Sequence, residues 1–173
     1  MFLVLFGIQG SGKGTQGQLL SRKLKIPHIS TGEMLRTLAL KKTDEGRALK
    51  AKLDHGDLLS DDEMTEILKH HLPSSCILDG YPRTLRQAEL LDTIEKVDYA
   101  VHIDLHEEEA MKRALARGRA DDTPDAIHRR MQQYHAQADA ILDHYKVRQK
   151  LITINGDQSV DAVFKEICKR LKI

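Results

Sequence analysis

Cysteine is nearly absent from this sequence: Cys76 and Cys168, far apart, are the whole complement. Two such residues build neither a disulfide framework nor a metal-ligand cluster, so both are expected as small buried hydrophobes in a reducing compartment, the cytosol. Net charge is nearly absent too. Lys and Arg number 27 against 26 Asp and Glu, a formal charge of +1. That excludes attraction of the whole molecule to nucleic acid or a membrane surface, and any anion site must come from local placement of charge. Long apolar runs are missing. The run at 2–6 is too short to cross a bilayer and lacks a basic segment before it, so it reads as a buried strand, with neither a membrane span nor export expected. No serine stands in a nucleophile elbow, and no cysteine sits beside a plausible base. The nine histidines, including His70, His71, His102 and His106, have no metal or triad spacing.

What is present is an alternation. Short apolar runs at 2–6, 27–29, 76–78, 100–105 and 151–154 are separated by longer amphipathic stretches, with no repeat and no low-complexity linker. This predicts one α/β domain, a five-stranded parallel sheet with helices on both faces. Ser30 with Glu33, Ser60 with Glu63 and Thr84 with Gln87 have capping-box spacing. Thr123 and Pro124 read as the cap and first position of a long helix, along which Ile127, Met131, Tyr134, Ala138, Ile141, Leu142 and Tyr145 form one apolar stripe. A last helix is expected near 160–171. From Thr31 to Leu72 the pattern stays helical, an excursion placed where an α/β sheet would hold a second substrate.

The strongest signal is GIQGSGKGTQ at 7–16, after a strand and before a helix with apolar Leu19, Leu20 and Leu24. Glycines let successive backbone N–H groups turn inward as an anion nest at the positive end of a helix. Lys13 adds a cation for the outer phosphates of a nucleotide. The hydroxyl expected directly after the lysine of a phosphate loop comes one residue later, at Thr15, because Gly14 intervenes.

Three further constellations carry chemistry. Arg36, after Ser30-Thr31-Gly32, falls on the first turns of a helix, where a guanidinium can grip a phosphate with two parallel bonds. The apolar run 76–78 ends in Asp79, the shape of a Walker B carboxylate able to hold hydrated Mg²⁺ beside the loop. Gly80 and Pro82 then force a turn that would present Arg83 to the reacting phosphates. Last, Arg113, Arg117, Arg119 and Arg130 surround Asp121 and Asp122. Fixed guanidinium groups of this kind stabilise the charge of a phosphoryl group in transfer.

Together these motifs resemble the adenylate kinase family of nucleoside monophosphate kinases, over nearly the whole chain: GxxGxGKGTQ, STGxxxR, the DGYPRT segment and GRxDD. Gln9 departs from the proline that many members have. The resemblance implies a P-loop NTPase fold, with core segments 1–29, 73–112 and 123–173, a helical acceptor-binding insertion at 30–72 and a short lid at 113–122. It implies ATP on Gly10, Ser11, Gly12, Lys13, Gly14 and Thr15, with Arg113 against its adenine, Arg117 on the ATP side and the backbone of Gln158 nearby. It implies AMP between Thr31, Gly32, Arg36, the backbone of Asp57, Leu58 and Leu59, the turn Gly80, Tyr81, Pro82 and Arg83, and the base partner Gln87. Arg119 and Arg130 would bridge the two nucleotides, with Asp121 and Asp122 orienting the arginines. Mg²⁺ would be held through water by Asp79, with Thr15 a second candidate, and the short lid leaves no room for the four-ligand zinc site of some relatives, so no structural zinc is expected.

The implied reaction is reversible transfer of the terminal phosphate of ATP to AMP, giving two ADP. Lys13, Arg83, Arg117, Arg119, Arg130, Asp121 and Asp122 are the expected catalytic set. Thr31 with Gln87 resembles AMP kinases, whereas UMP/CMP kinases carry alanine and asparagine there. A UMP/CMP kinase or another small-acceptor P-loop kinase is the near alternative and a non-catalytic nucleotide-binding module the distant one, although no NKxD guanine motif is visible. A cytoplasmic monomer with small nucleotides as its partners, and neither nucleic acid nor membrane, is expected.

Overall fold

The computed structural model describes residues 1–55, 59–118 and 122–173, without the side chains of 45 and 52–55. Five strands, β1 (Phe2–Phe6), β2 (His28–Ser30), β3 (Cys76–Asp79), β4 (Tyr99–Asp104) and β5 (Leu151–Asn155), pair in the order β2-β3-β1-β4-β5, and every pairing is parallel. Between them run α1 (Lys13–Leu24), α2 (Thr31–Ala39), α3 (Asp44–His55), α4 (Asp61–Lys69), α5 (Leu85–Ile94), α6 (Glu107–Arg117) and α7 (Pro124–Val147), with α8 (Val160–Leu171) last.

The central strand explains the layering. All of β1 is buried, and its side chains alternate between two cores. Phe2, Val4 and Phe6 pack with Leu78, Leu91, Ala138 and Ile141 on the face covered by α5 and α7. Leu3 and Leu5 pack with Leu20, Val101, Ile154 and Ile167 on the face covered by α1 and α8. Each such side chain contributes roughly 1.5–3 kcal/mol by leaving water. A third core, Ile8, Leu105, Ala110, Ala114, Ile127 and Met131, seats the start of the loop after β1 against α6 and α7.

The strand order has a functional consequence. The chain leaving β1 turns into α1 on one face, and the chain leaving the adjacent β3 turns into α5 on the other. The two loops diverge over the carboxyl edge and leave a crevice between them, where open α/β sheets bind ligands.

Strand and helix expectations differ from the structure mainly by one residue at their ends. At α4, Ser60 and Glu63 make the full reciprocal capping box, and Thr123 caps α7 with Pro124 at its first turn. At α2, Ser30 occupies the cap position but its side chain makes no capping bond, so no capping box forms there. At α5 the Thr84 hydroxyl accepts from the Gln87 N–H, while the Gln87 side chain reaches one residue further back, to the Arg83 N–H. Cys76 is buried in the sheet, but Cys168 of α8 is only half-buried, against the edge of the core; neither is in a disulfide. Among the described residues no helix is long and apolar enough to cross a membrane.

Candidate active site

The loop after β1 is built as an anion cradle. Gly10 has φ +93°, and a Cβ there would lie 2.2 Å from the Ala110 carbonyl oxygen, so the loop can press onto α6 only as glycine. Gly12, φ +95°, caps α1 in the left-handed region with open space where its Cβ would be. As a glycine, the cap residue has no side chain to cover the first amides of this helix. Gln16 is the first residue whose N–H bonds along the helix, to Gly12 at 3.0 Å, which leaves the amides of Lys13, Gly14 and Thr15 without an intrahelical acceptor. A helix start with uncovered N–H groups attracts phosphate.

The Lys13 ammonium curls back over this cradle, donating to the carbonyls of Gly7 at 2.7 Å and Ile8 at 2.8 Å and to the Ser11 hydroxyl at 3.4 Å. Burial pushes its pKa down from 10.5 to about 8; Asp79 opposes the shift, and Arg83 and Arg117 add to it. Asp79 ends β3, nearly buried, with its carboxylate 3.6 Å from where a Cβ of Gly14 would stand. Its other neighbour is His28 Nε2 at 3.6 Å. Among the described residues no three His, Cys, Asp or Glu side chains gather as a metal cage. One carboxylate beside a phosphate cradle instead suits Mg²⁺, which keeps most of its waters and takes its other ligands from phosphate.

Cations converge on the crevice from three sides. Arg83 follows Gly80, φ +85°, and a cis Tyr81-Pro82 bond, and its Nε donates to the Gly80 carbonyl at 2.8 Å. Confinement in the crevice lowers its pKa from the ordinary arginine value, and the charges of Arg130 and Arg36 lower it further against the opposing Asp79. Mutual repulsion among guanidinium groups held close by the fold is the mark of a site awaiting an anion.

On the lid side Asp122 is the organising group. Its side chain is fully buried and takes three bonds of 2.8–3.0 Å from Nε and Nη2 of Arg117 and one of 3.4 Å from Arg130. Gln9 of the phosphate loop joins them, donating to Asp122 at 2.8 Å and accepting from Arg130 at 3.5 Å. The residue that departs from the usual proline thus ties the loop to two of the arginines. Arg113 points elsewhere, binding Glu109 at 2.7 Å and the Gly156 carbonyl at 3.0 Å, beside the turn that carries Gln158. The Gln158 amide is engaged with the Asn155 carbonyl and Glu166.

On the acceptor side, Thr31 is buried with its hydroxyl donating to the Asp79 carbonyl at 3.2 Å, and the Arg36 guanidinium lies over Gly32. Gln87, 6% exposed, has both ends of its amide occupied: Nε2 donates to Asp61 at 2.9 Å and Oε1 accepts from the Arg83 N–H at 2.7 Å. Leu59 packs into the core beneath α4. Arg119 and Asp121, and on the acceptor side Asp57 and Leu58, lie outside the described residues. The structure therefore gathers Lys13, Asp79, Arg83, Arg36, Arg117, Arg130 and Asp122 around one crevice. Motif reading treats Gln9 as a mere departure and does not single out Asp61. The only advance signal for either was a polar residue beside an assigned one.

A strand–phosphate loop–helix unit with a carboxylate at the neighbouring strand end and opposed arginines defines a P-loop phosphotransferase. The family model described as "Adenylate kinase" matches residues 5–150. The chain is 39% identical over 179 residues to the "Adenylate kinase" of Phocaeicola vulgatus, with 95% of each chain covered. It is 38% identical over 175 residues to "Adenylate kinase 1" of Nostoc sp., again with 95% of each covered, and 38% identical over 181 residues to the "Adenylate kinase" of Nocardia farcinica, with 99% of each covered. The chain belongs to the adenylate kinase family, and is a nucleoside monophosphate kinase.

Proposed function

We propose that this protein catalyses reversible transfer of the terminal phosphate of ATP to AMP, giving two ADP. The observation that carries this reading is the field in the crevice. Lys13 at the cradle and Arg83 on the opposite loop act on each other electrostatically, and Arg36 and Arg130 act on Arg83. A binding module needs one phosphate site; repelling cations on both sides of a carboxylate suit two phosphate chains meeting end to end.

In this reading ATP lies on residues 10–15 with its outer phosphates on the loop amides and Lys13. AMP lies between Arg36, Arg83 and the helices of 30–72, with Thr31, Gly32, the backbone of 57–59 and the turn at Gly80, Tyr81 and Pro82 lining its pocket. Gln87 faces its base. Asp122 holds Arg117 and Arg130, and Arg119 with Asp121 completes the lid of 113–122, which closes on the core formed by 1–29, 73–112 and 123–173. Arg113 and Gln158 flank the ATP adenine. Asp79 would hold Mg²⁺ through water, and the metal would neutralise charge on the transferring phosphates. No side chain has to accept the phosphate, because the acceptor oxygen attacks in line and the arginines fix both chains in that line. Closure keeps water from taking the phosphate in place of AMP. The protein would act as a monomer in the cytosol, a setting in keeping with its two unpaired thiols.

The test is an acceptor panel. With ATP and Mg²⁺, AMP should give the highest kcat/KM, exceeding CMP and UMP by at least tenfold. A preference for a pyrimidine would move the protein to the UMP/CMP branch, and ATP binding without transfer to any acceptor would make it a binding module.

A further inference from the structure

We propose that Asp61, together with the backbone N–H of Arg83, locks the amide of Gln87 in one orientation, and that this lock makes the acceptor site take adenine and refuse 6-oxopurines. The inference rests on the reading of AMP as acceptor with Gln87 against its base, and assigns a determinant outside the residues that touch the nucleotide.

Asp61 opens α4, directly after its Ser60 cap. Its two oxygens are divided between the start of α5 and the cap before it: Oδ1 accepts from Gln87 Nε2 at 2.9 Å and Oδ2 from the Thr84 hydroxyl at 2.8 Å. The same Thr84 hydroxyl accepts from the Gln87 N–H at 3.1 Å, so the carboxylate is held from two directions. On its other side the Gln87 amide oxygen takes the Arg83 N–H at 2.7 Å. A carboxylate only accepts and a backbone N–H only donates, so the orientation of this amide is fixed by chemistry. Rotated by half a turn, Gln87 Oε1 would face Asp61 Oδ1 and its NH₂ would face the Arg83 N–H. Two hydrogen bonds would become two repulsions inside a nearly buried site.

The lock leaves one N–H on Nε2 and one lone pair on Oε1 unspent. Side by side they form a donor next to an acceptor, the complement of adenine N1 and its exocyclic amine. Hypoxanthine and guanine present the reverse pair, an N1–H and a carbonyl at position 6, which only the rotated amide would match. A glutamine free to turn would read either base. Asp61 removes that freedom without touching substrate, and is therefore a positioning residue that sets specificity.

The experiment compares kcat/KM for AMP and for inosine monophosphate in the unmutated protein, Asp61→Asn and Asp61→Ala. Asn keeps the size of Asp and its place at the start of α4, yet can meet Gln87 with either end of its own amide. The AMP/IMP ratio should fall at least tenfold in Asp61→Asn, mainly through a lower KM for IMP, and should fall in Asp61→Ala as well. The ratio does not depend on the fraction of protein correctly folded, so a merely structural role would lower both rates and leave it unmoved. A ratio within twofold of the unmutated value in either variant overturns the proposal while leaving the AMP reading intact. Failure of the unmutated protein to phosphorylate AMP overturns that reading and this inference with it.

Discussion

Raising the pH should weaken ATP binding through Lys13 alone. In the free protein the ammonium has a pKa of about 8, set first by burial. A bound triphosphate places several negative charges beside it and returns the pKa to its ordinary value or above. The free-state value is the lower one, so binding takes up a proton, and affinity falls as pH rises through 8. The dissociation constant should grow in proportion to 1 + 10^(pH − 8), roughly eightfold from pH 7.5 to pH 9, or about 1.2 kcal/mol. Proton uptake should rise from about 0.2 to about 0.9 per ATP over the same interval. Above pH 7.5 the phosphate of the ligand is already ionised, which keeps its own titration out of the window. Calorimetric titration in two buffers of different ionisation enthalpy gives both numbers. In Lys13→Met the slope should vanish. A flat curve in the unmutated protein, or an unchanged slope in Lys13→Met, would refute the reasoning.

Arg83→Ala should lower kcat by about a hundredfold or more and leave the melting temperature little changed, since among the described residues its guanidinium bonds only the Gly80 carbonyl; near-normal turnover would discredit its role. In a double-mutant cycle on kcat/KM for ATP, Gln9→Met and Asp122→Ala should couple by about 0.5–1.5 kcal/mol, because Gln9 acts through Asp122; strict additivity would contradict that. Gly10→Ala should cost roughly 2–4 kcal/mol of stability through its overlap with the Ala110 carbonyl, against about 1–2 kcal/mol for Gly12→Ala, which meets only a positive φ; equal losses in denaturant melts would break the ordering.

The sheet was legible because buried parallel strands read as bare apolar runs, and α7 because its stripe runs at helical period behind an N-terminal Thr-Pro. Motifs that combine a backbone requirement with a charge, such as Gly12-Lys13 or Gly80 with Arg83, were legible for the same reason: few structures need both. Ser30 misled because capping spacing is local, whereas at β2 the strand pairs up to Ser30 itself and α2 begins at the next residue. Gln9 with Asp122 and Asp61 with Gln87 are contacts across 113 and 26 residues of sequence. No periodicity or spacing announces them, because the topology of the crevice alone brings them together.

Two nucleotides meeting in one crevice is the claim on which the rest stands, and a bisubstrate ligand of two adenosines joined by a chain of phosphates measures it. By calorimetry it should bind one per protein, displace ATP and AMP together, and lose most of its affinity in either Lys13→Met or Arg83→Ala. A ligand that displaced ATP while AMP still bound, or that was indifferent to Arg83→Ala, would contradict it.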